Sequence, residues 1–373
     1  MAILPEKKLF GPGPCNISPR VREALARPML GHLDPEFLAT MERCKAGLRE
    51  VFRTENAVTF PVSGTGSSGM ECLLVNFLEP GDRVVVGVNG VFGGRMANLA
   101  AKLGAEVTRV EAPWGEAIPA ERLIEAIEQV KPQFFGIVNG ETSTGVYQRV
   151  DGLAEALRSV GGLFALDCVT SLSGMPVEID AWGVDLAFSG TQKCLACPPG
   201  LAPLSVSERA RERLARRRTP VPSFYFDLNE ILAYVDGQGG RSYHHTAPIS
   251  MVAALDEALG EVLEEGLEAR FKRHREAAER LTAGLGELGF QPLVAEADRL
   301  HPLTTLKLPE GFDEAGARKH LLEVEGIEVG AGLGPFAGKV WRIGLMGHNA
   351  QPERVDELVE AIARVRAPRP LAN

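Results

Sequence analysis

The chain has 373 residues, 45% hydrophobic and 24% charged, with a net charge of −9 and a pI near 5.5. That length allows two domains or one large domain with an appendage, and the acidic balance argues against nucleic acid or an anionic membrane as partner. No apolar run approaches the ~20 residues that span a bilayer, and the start, Met1-Ala-Ile-Leu-Pro-Glu6, lacks the apolar core of a secretory leader. Six cysteines (15, 44, 72, 168, 194 and 197) in such a chain predict free thiols in a reducing, cytoplasmic setting.

In chain order, short apolar runs at 57–62, 84–88, 106–110, 134–138, 163–166, 186–188 and 201–206 read as strands. The central ones are apolar on both faces, which suits a mostly parallel sheet covered by helices. Stretches 70–77, 93–103, 120–130 and 153–160 read as the intervening helices, several closed by Gly or Pro. This alternation predicts an α/β fold. The basic run 209–218 reads as a solvated helical face, with an anion site as the alternative. Residues 250–288 read as one long helix leaving the large domain. Beyond it, strands at 303–308, 327–329 and 340–343 with helices at 314–324 and 352–365 predict a small α+β C-terminal domain.

Lys193 lies in Ser189-Gly-Thr-Gln-Lys-Cys-Leu-Ala-Cys-Pro-Pro-Gly200, a small-residue loop just past an apolar strand. An amine desolvated there loses its proton near neutral pH and attacks a carbonyl; a surface lysine beside a loop is the plainer alternative. Asp167 ends the strand Leu163-Phe-Ala-Leu-Asp167. A lysine and an aspartate at the carboxyl ends of two strands form the pair that pyridoxal phosphate requires. The lysine attaches to its aldehyde, and the carboxylate keeps the ring nitrogen protonated.

Other motifs sit at neighbouring strand ends. Ser63-Gly-Thr-Gly-Ser-Ser-Gly69 runs from a strand into a helix, where first-turn N–H groups and small residues suit a phosphate. It also satisfies Gly-x-Gly-x-x-Gly, but the next strand ends in Asn89-Gly90 with no carboxylate for a ribose. A monophosphate cup therefore fits better than a dinucleotide crevice, and a ligand-free turn stays open. Phe92, among glycines, suits stacking on a flat ring, although core packing explains most phenylalanines. Gly140-Glu-Thr-Ser-Thr-Gly145 offers hydroxyls to a ring oxygen or carboxylate, or is simply turn chemistry. Arg342 suits two-pronged binding of a carboxylate, or a structural ion pair. Neither His244-His245 nor Cys194-Leu-Ala-Cys197 has the companions a metal site needs, so no metal is expected.

These motifs, with Gly11-Pro-Gly-Pro14 and Tyr243-His-His-Thr246, make the chain from about residue 10 to residue 365 resemble the class V pyridoxal-phosphate aminotransferases, especially the alanine–glyoxylate and serine–glyoxylate branch. The resemblance implies fold type I, a homodimer with sites at the subunit interface, and amino and keto acids as substrates. It implies an N-terminal arm over 1–20 serving dimer and active site, a cofactor-binding large domain over 21–255 with a mostly parallel seven-stranded sheet, and a small domain over 256–373. By the same resemblance Lys193 and Asp167 are catalytic. Thr65, Gly66, Ser67 and Gln192 belong to the phosphate cup, Phe92 stacks on the ring, Val169 lies under it and Thr142 meets the ring hydroxyl. Tyr243 and Thr246 reach the phosphate from the partner, while Arg342, with Gly13 and Thr142, binds substrate. Phe92 and Ser67 stand where relatives often carry Trp and His. Phosphonate or phosphoserine transamination, a nicotinamide dehydrogenase and a non-catalytic subunit remain alternatives; a cysteine desulfurase would need a cysteine beyond Cys197.

Overall fold

The computed structural model describes residues 5–235 and 243–366. Its strands are β1 (Lys8–Phe10), β2 (Val58–Ser63), β3 (Arg83–Val88), β4 (Glu106–Glu111), β5 (Phe134–Val138), β6 (Gly140–Glu141), β7 (Val146–Tyr147), β8 (Leu163–Asp167), β9 (Leu186–Phe188), β10 (Leu201–Val206), β11 (Gln291–Pro292), β12 (Leu303–Lys307), β13 (Ile327–Ala331) and β14 (Val340–Gly344).

Seven of them form one sheet in the order β2-β10-β9-β8-β5-β3-β4, parallel except for β10, which runs antiparallel to both neighbours. Strands β5, β8 and β9 are buried along their whole length, the expected consequence of helices covering both faces. The order reverses about β3, β5 and β8, so the carboxyl ends of the central strands open on a crevice. In open α/β sheets that crevice is where ligands bind.

Two helices precede the first predicted strand. The longer, Pro35–Phe52, starts on an Asp34 cap that accepts from Glu36 N and has proline at its first position. Its buried face, including Phe37, Met41, Cys44, Leu48 and Phe52, packs against the helix Ile249–Glu265. The basic stretch forms the helix Glu208–Ala215. It is more than a solvated face, because Arg209 pairs with Asp185 and Arg213 with Asp82 at 2.7 Å. Both carboxylates are about 5% exposed and immediately precede β9 and β3, so these pairs pin the helix to the amino ends of two inner strands.

The expected single helix over 250–288 is two helices, Ile249–Glu265 and Leu267–Glu287, broken at Gly266 with φ +81°. The first buries Val252, Leu255, Leu259 and Val262 in the core around the large sheet. Leu281 and Leu285 of the second join Phe290, Trp341, Ile343 and Leu358 in a separate core. Leu267 still packs against the first core, and the second helix joins the other core only from Ala277. The second core backs a five-stranded sheet, β1-β13-β14-β12-β11, in which β1 pairs parallel to β13. The N-terminal segment is thus the edge strand of this second sheet before the chain reaches the crevice. Among the described residues, no helix is long and apolar enough to cross a membrane.

Candidate active site

Loops leaving the edge strand β2 and the inner strands β3, β5, β8 and β9 all deliver groups to the same cavity. From β2 come Thr65, Gly66 and Ser67, from β3 comes Phe92, and from β5 come Gly140 and Thr142. Asp167 and Val169 come from β8, and Gln192 and Lys193 follow β9. Nine of the eleven residues expected to hold the cofactor line this one space. Thr65 caps the helix Gly66–Phe77, and while Ser68 N donates to Thr65 O at 2.8 Å, the N–H groups of Gly66 and Ser67 lie at the helix start, where they suit an anion. Beside them the Gln192 side-chain oxygen is buried with no partner among the described residues. Turning that amide presents its N–H instead, so the group is suited to a phosphate oxygen.

Burial sets the charge states. Asp167, 3% exposed, is pushed up to about 7 by desolvation, against a hydrogen bond of 3.0 Å that Val169 N donates to its Oδ1. A buried carboxylate held near neutrality is primed to be drawn back to its charged form by a cationic partner. Lys193, 8% exposed, is lowered to about 8, chiefly by desolvation. Its Nζ donates to the Pro12 carbonyl of the arm. Cys15 N donates to Gln192 O at 3.1 Å and Cys15 Sγ to Lys193 O at 3.2 Å, so the arm is stitched to the lysine loop. Gly13 sits there with φ +94°; a Cβ at that position would come within 2.7 Å of Lys193 Nζ.

Arg342 lies outside the cavity wall but beside it. It is 7% exposed and donates from Nε to Ala331 O at 2.8 Å and from Nη1 to Thr142 O at 3.1 Å. Three of its five N–H groups remain for a carboxylate. Tyr243 and Thr246 are not brought to this cavity. Both are exposed and their hydroxyls meet each other at 3.2 Å. His244 and His245 do not alternate as on a strand. Their Nδ1 atoms are 2.7 Å apart, and they tie to Phe224 O and Ser63 Oγ. All six cysteines are free and buried, and no group of three or more metal-ligating side chains occurs among the described residues.

The family profile described as Aminotransferase class-V matches residues 20–358. An alanine–glyoxylate aminotransferase of Drosophila melanogaster is 41% identical over 96% of this chain and 92% of its own length. A solved alanine–glyoxylate aminotransferase from Nostoc sp. superposes with a TM-score of 0.95 at 45% identity, covering 98% of this chain and 96% of that one. The chain belongs to the class V aminotransferases. A (S)-ureidoglycine–glyoxylate transaminase of Bacillus subtilis is also similar, at 36% identity over 94% of this chain and 88% of its own length. Membership in this aminotransferase family brings pyridoxal 5′-phosphate as cofactor, and the nicotinamide reading of the glycine run at 64–69 falls away.

Two groups of this aminotransferase escaped the reading of motifs. Arg95 places its guanidinium 4.8 Å from the Phe92 ring centroid and donates to Ser67 Oγ at 3.0 Å. Position i+3 on the helix Val91–Lys102 was the available signal, since it shares a face with Phe92. Glu141 is fully buried beneath the same helix, and its neighbours in sequence gave no hint of that.

Proposed function

We propose that this enzyme transfers the amino group of a small amino acid, alanine or serine, to glyoxylate, giving pyruvate or hydroxypyruvate and then glycine. The observation that carries this reading is the single cavity joining Lys193 and Asp167 to a helix N-terminus suited to phosphate. Similar proteins that differ in their named amino donor share glyoxylate in their names, which supports glyoxylate as acceptor. A small donor is supported by the arm: Pro12 and Gly13 press directly on Lys193 and leave little room for a long side chain.

Thr65, Gly66, Ser67 and Gln192 would hold the cofactor's phosphate, Asp167 its ring nitrogen, Thr142 its ring hydroxyl, and Phe92 and Val169 its two faces. Lys193 would hold the cofactor through its aldehyde until the substrate amine displaces it; the cofactor would then supply an electron sink that loosens the proton on the substrate α-carbon and leave the Lys193 amine free. Arg342 grips the substrate carboxylate with its free N–H groups and fixes that carbon's orientation. The Lys193 amine, held near pH 8, takes the proton and returns it one site away as a general base and acid. Asp167 holds a negative charge where the ring becomes positive. The enzyme acts as a homodimer in this proposal, with Tyr243 and Thr246 serving the partner's phosphate.

The test is a half-reaction. Purified enzyme loaded with pyridoxal phosphate is mixed with alanine, serine, ureidoglycine or phosphoserine, and the loss of the visible cofactor band is followed. Fast bleaching by alanine or serine and none by phosphoserine is expected; the reverse ranking rejects the proposal. Lys193→Ala should lose both the visible band and turnover.

A further inference from the structure

We infer that Glu141 is a positioning residue that holds the Phe92 wall of the cofactor cavity against the hairpin carrying Thr142. This inference rests on the aminotransferase reading above and assigns a task to a carboxylate that reading does not use. Glu141 is 0% exposed, the second residue of the Gly140–Tyr147 hairpin built by β6 and β7. Its Oε2 accepts from Phe92 N at 2.9 Å and from Gly93 N at 3.3 Å. Its Oε1 accepts from Ser143 N at 3.0 Å and Ser143 Oγ at 2.6 Å. Ser143 Oγ in turn accepts from Val91 N at 2.9 Å.

Every first-turn donor of the helix Val91–Lys102 from Val91 to Gly93 therefore ends on Glu141 or on its neighbour Ser143. That helix has no side-chain cap of its own, because its N-cap is Gly90. A carboxylate from another loop supplies what the local sequence lacks, and a negative charge at a helix N-terminus is favourable. A Cβ at Gly90 would come within 2.5 Å of Glu141 Cδ, so the contact is tight.

The consequence is geometric. Phe92 lines the cavity on one side and Thr142 on another, and the covalent neighbour of Thr142 grips the backbone of Phe92. Thr142 O also receives Arg342. The hairpin thus fixes the stacking ring, the ring-hydroxyl partner and the substrate clamp relative to one another. Burial pushes the Glu141 carboxyl up from its ordinary range, and the four hydrogen bonds from Phe92, Gly93 and Ser143 offset part of that cost.

The experiment compares wild type, Glu141→Ala, Glu141→Gln and Leu281→Ala, each as loaded enzyme. Leu281 is fully buried in the second core and touches no site residue, so its variant is a control for plain loss of stability. Cofactor Kd by equilibrium dialysis, the ellipticity of the visible band, and kcat and KM with alanine are measured. Glu141→Ala should weaken cofactor binding about tenfold, change the ellipticity, and lower kcat while KM for alanine moves little, because the Arg342 contact is to backbone. Glu141→Gln keeps an acceptor for Phe92 N and should recover most of the wild-type signature. Leu281→Ala should lower Tm with the signature intact. A Glu141→Ala enzyme with wild-type Kd and ellipticity, or a Leu281→Ala enzyme that mimics it, overturns the inference alone. Wild-type enzyme that takes up no pyridoxal phosphate overturns the functional reading and this inference together.

Discussion

At the scale of single residues, the arm and the buried charges make separate demands. Gly13→Ala adds a methyl where Lys193 already lies and asks an L-residue to hold φ +94°. The expected result is loss of cofactor attachment, read as a vanished visible band, in a protein whose far-UV circular dichroism is unchanged. Asp167 and Lys193 also leave a pH signature on the cofactor-free protein. Asp167 is raised to about 7 from 3.8, so between those values the folded state holds a proton that the unfolded chain releases. Its contribution is complete below about 4 and is lost as pH climbs through 7. Lys193, lowered to about 8 from 10.5, runs the other way: across that window the unfolded chain binds the extra proton, and stability returns as pH rises. Asp167→Asn removes the first effect. Its Tm in the cofactor-free form should gain on wild type by ~2 °C or more between about pH 5 and pH 7.5; a constant difference across that range would contradict the raised carboxyl. Lys193 and Asp167 were legible in sequence because each ends an apolar run at a strand terminus. Glu141 was not, since Phe92 lies 49 residues away and meets it only once the strands are ordered; for Arg95 only the i+3 spacing to Phe92 was visible, and its bond to Ser67 was not.

At the scale of elements, what periodicity can see explains both the successes and the misses. Strands β5, β8 and β9 are buried on both faces and stand out as unbroken apolar runs. Strands β1 and β11 span three and two residues, too short for any period, and exist because β13 and β12 offer them an edge. The long helix was over-read because Ala, Glu, Arg and Leu on both sides of Gly266 favour helix equally; a glycine inside such a run only lowers the odds. Gly266 takes φ +81° and ψ 138° with open space where a side chain would be. Gly266→Ala therefore meets no clash and costs backbone strain alone, about 1–3 kcal/mol. Chemical denaturation should show that loss. If instead the variant is as stable as wild type, the break between the two helices is not fixed by this residue.

At the scale of the whole molecule, one chain brings nine of the eleven residues expected at the cofactor to one cavity and leaves Tyr243 and Thr246 outside it. Tyr243 is 63% exposed, Phe224 69% and Met29 72%, an unusual amount of uncovered apolar surface. His32 lies beside Tyr243 with ring centroids 5.2 Å apart and the rings tilted by 59°. A twofold dimer would cover this surface and could carry Tyr243 and Thr246 to the other chain's Ser67 and Gln192, since each subunit gives what it receives. Complementation separates that arrangement from a self-sufficient monomer. Lys193→Ala and the double variant Tyr243→Ala with Thr246→Ala place their defects in different halves of each shared site. Unfolded together and refolded, a mixed dimer has one site bearing both defects and one bearing neither. At limiting cofactor, where the double variant binds poorly, the mixture should recover about one quarter of wild-type turnover, the share of intact sites expected from random pairing. Turnover no greater than the average of the two variants would mean that each chain completes its own site, and that Tyr243 and Thr246 serve packing alone.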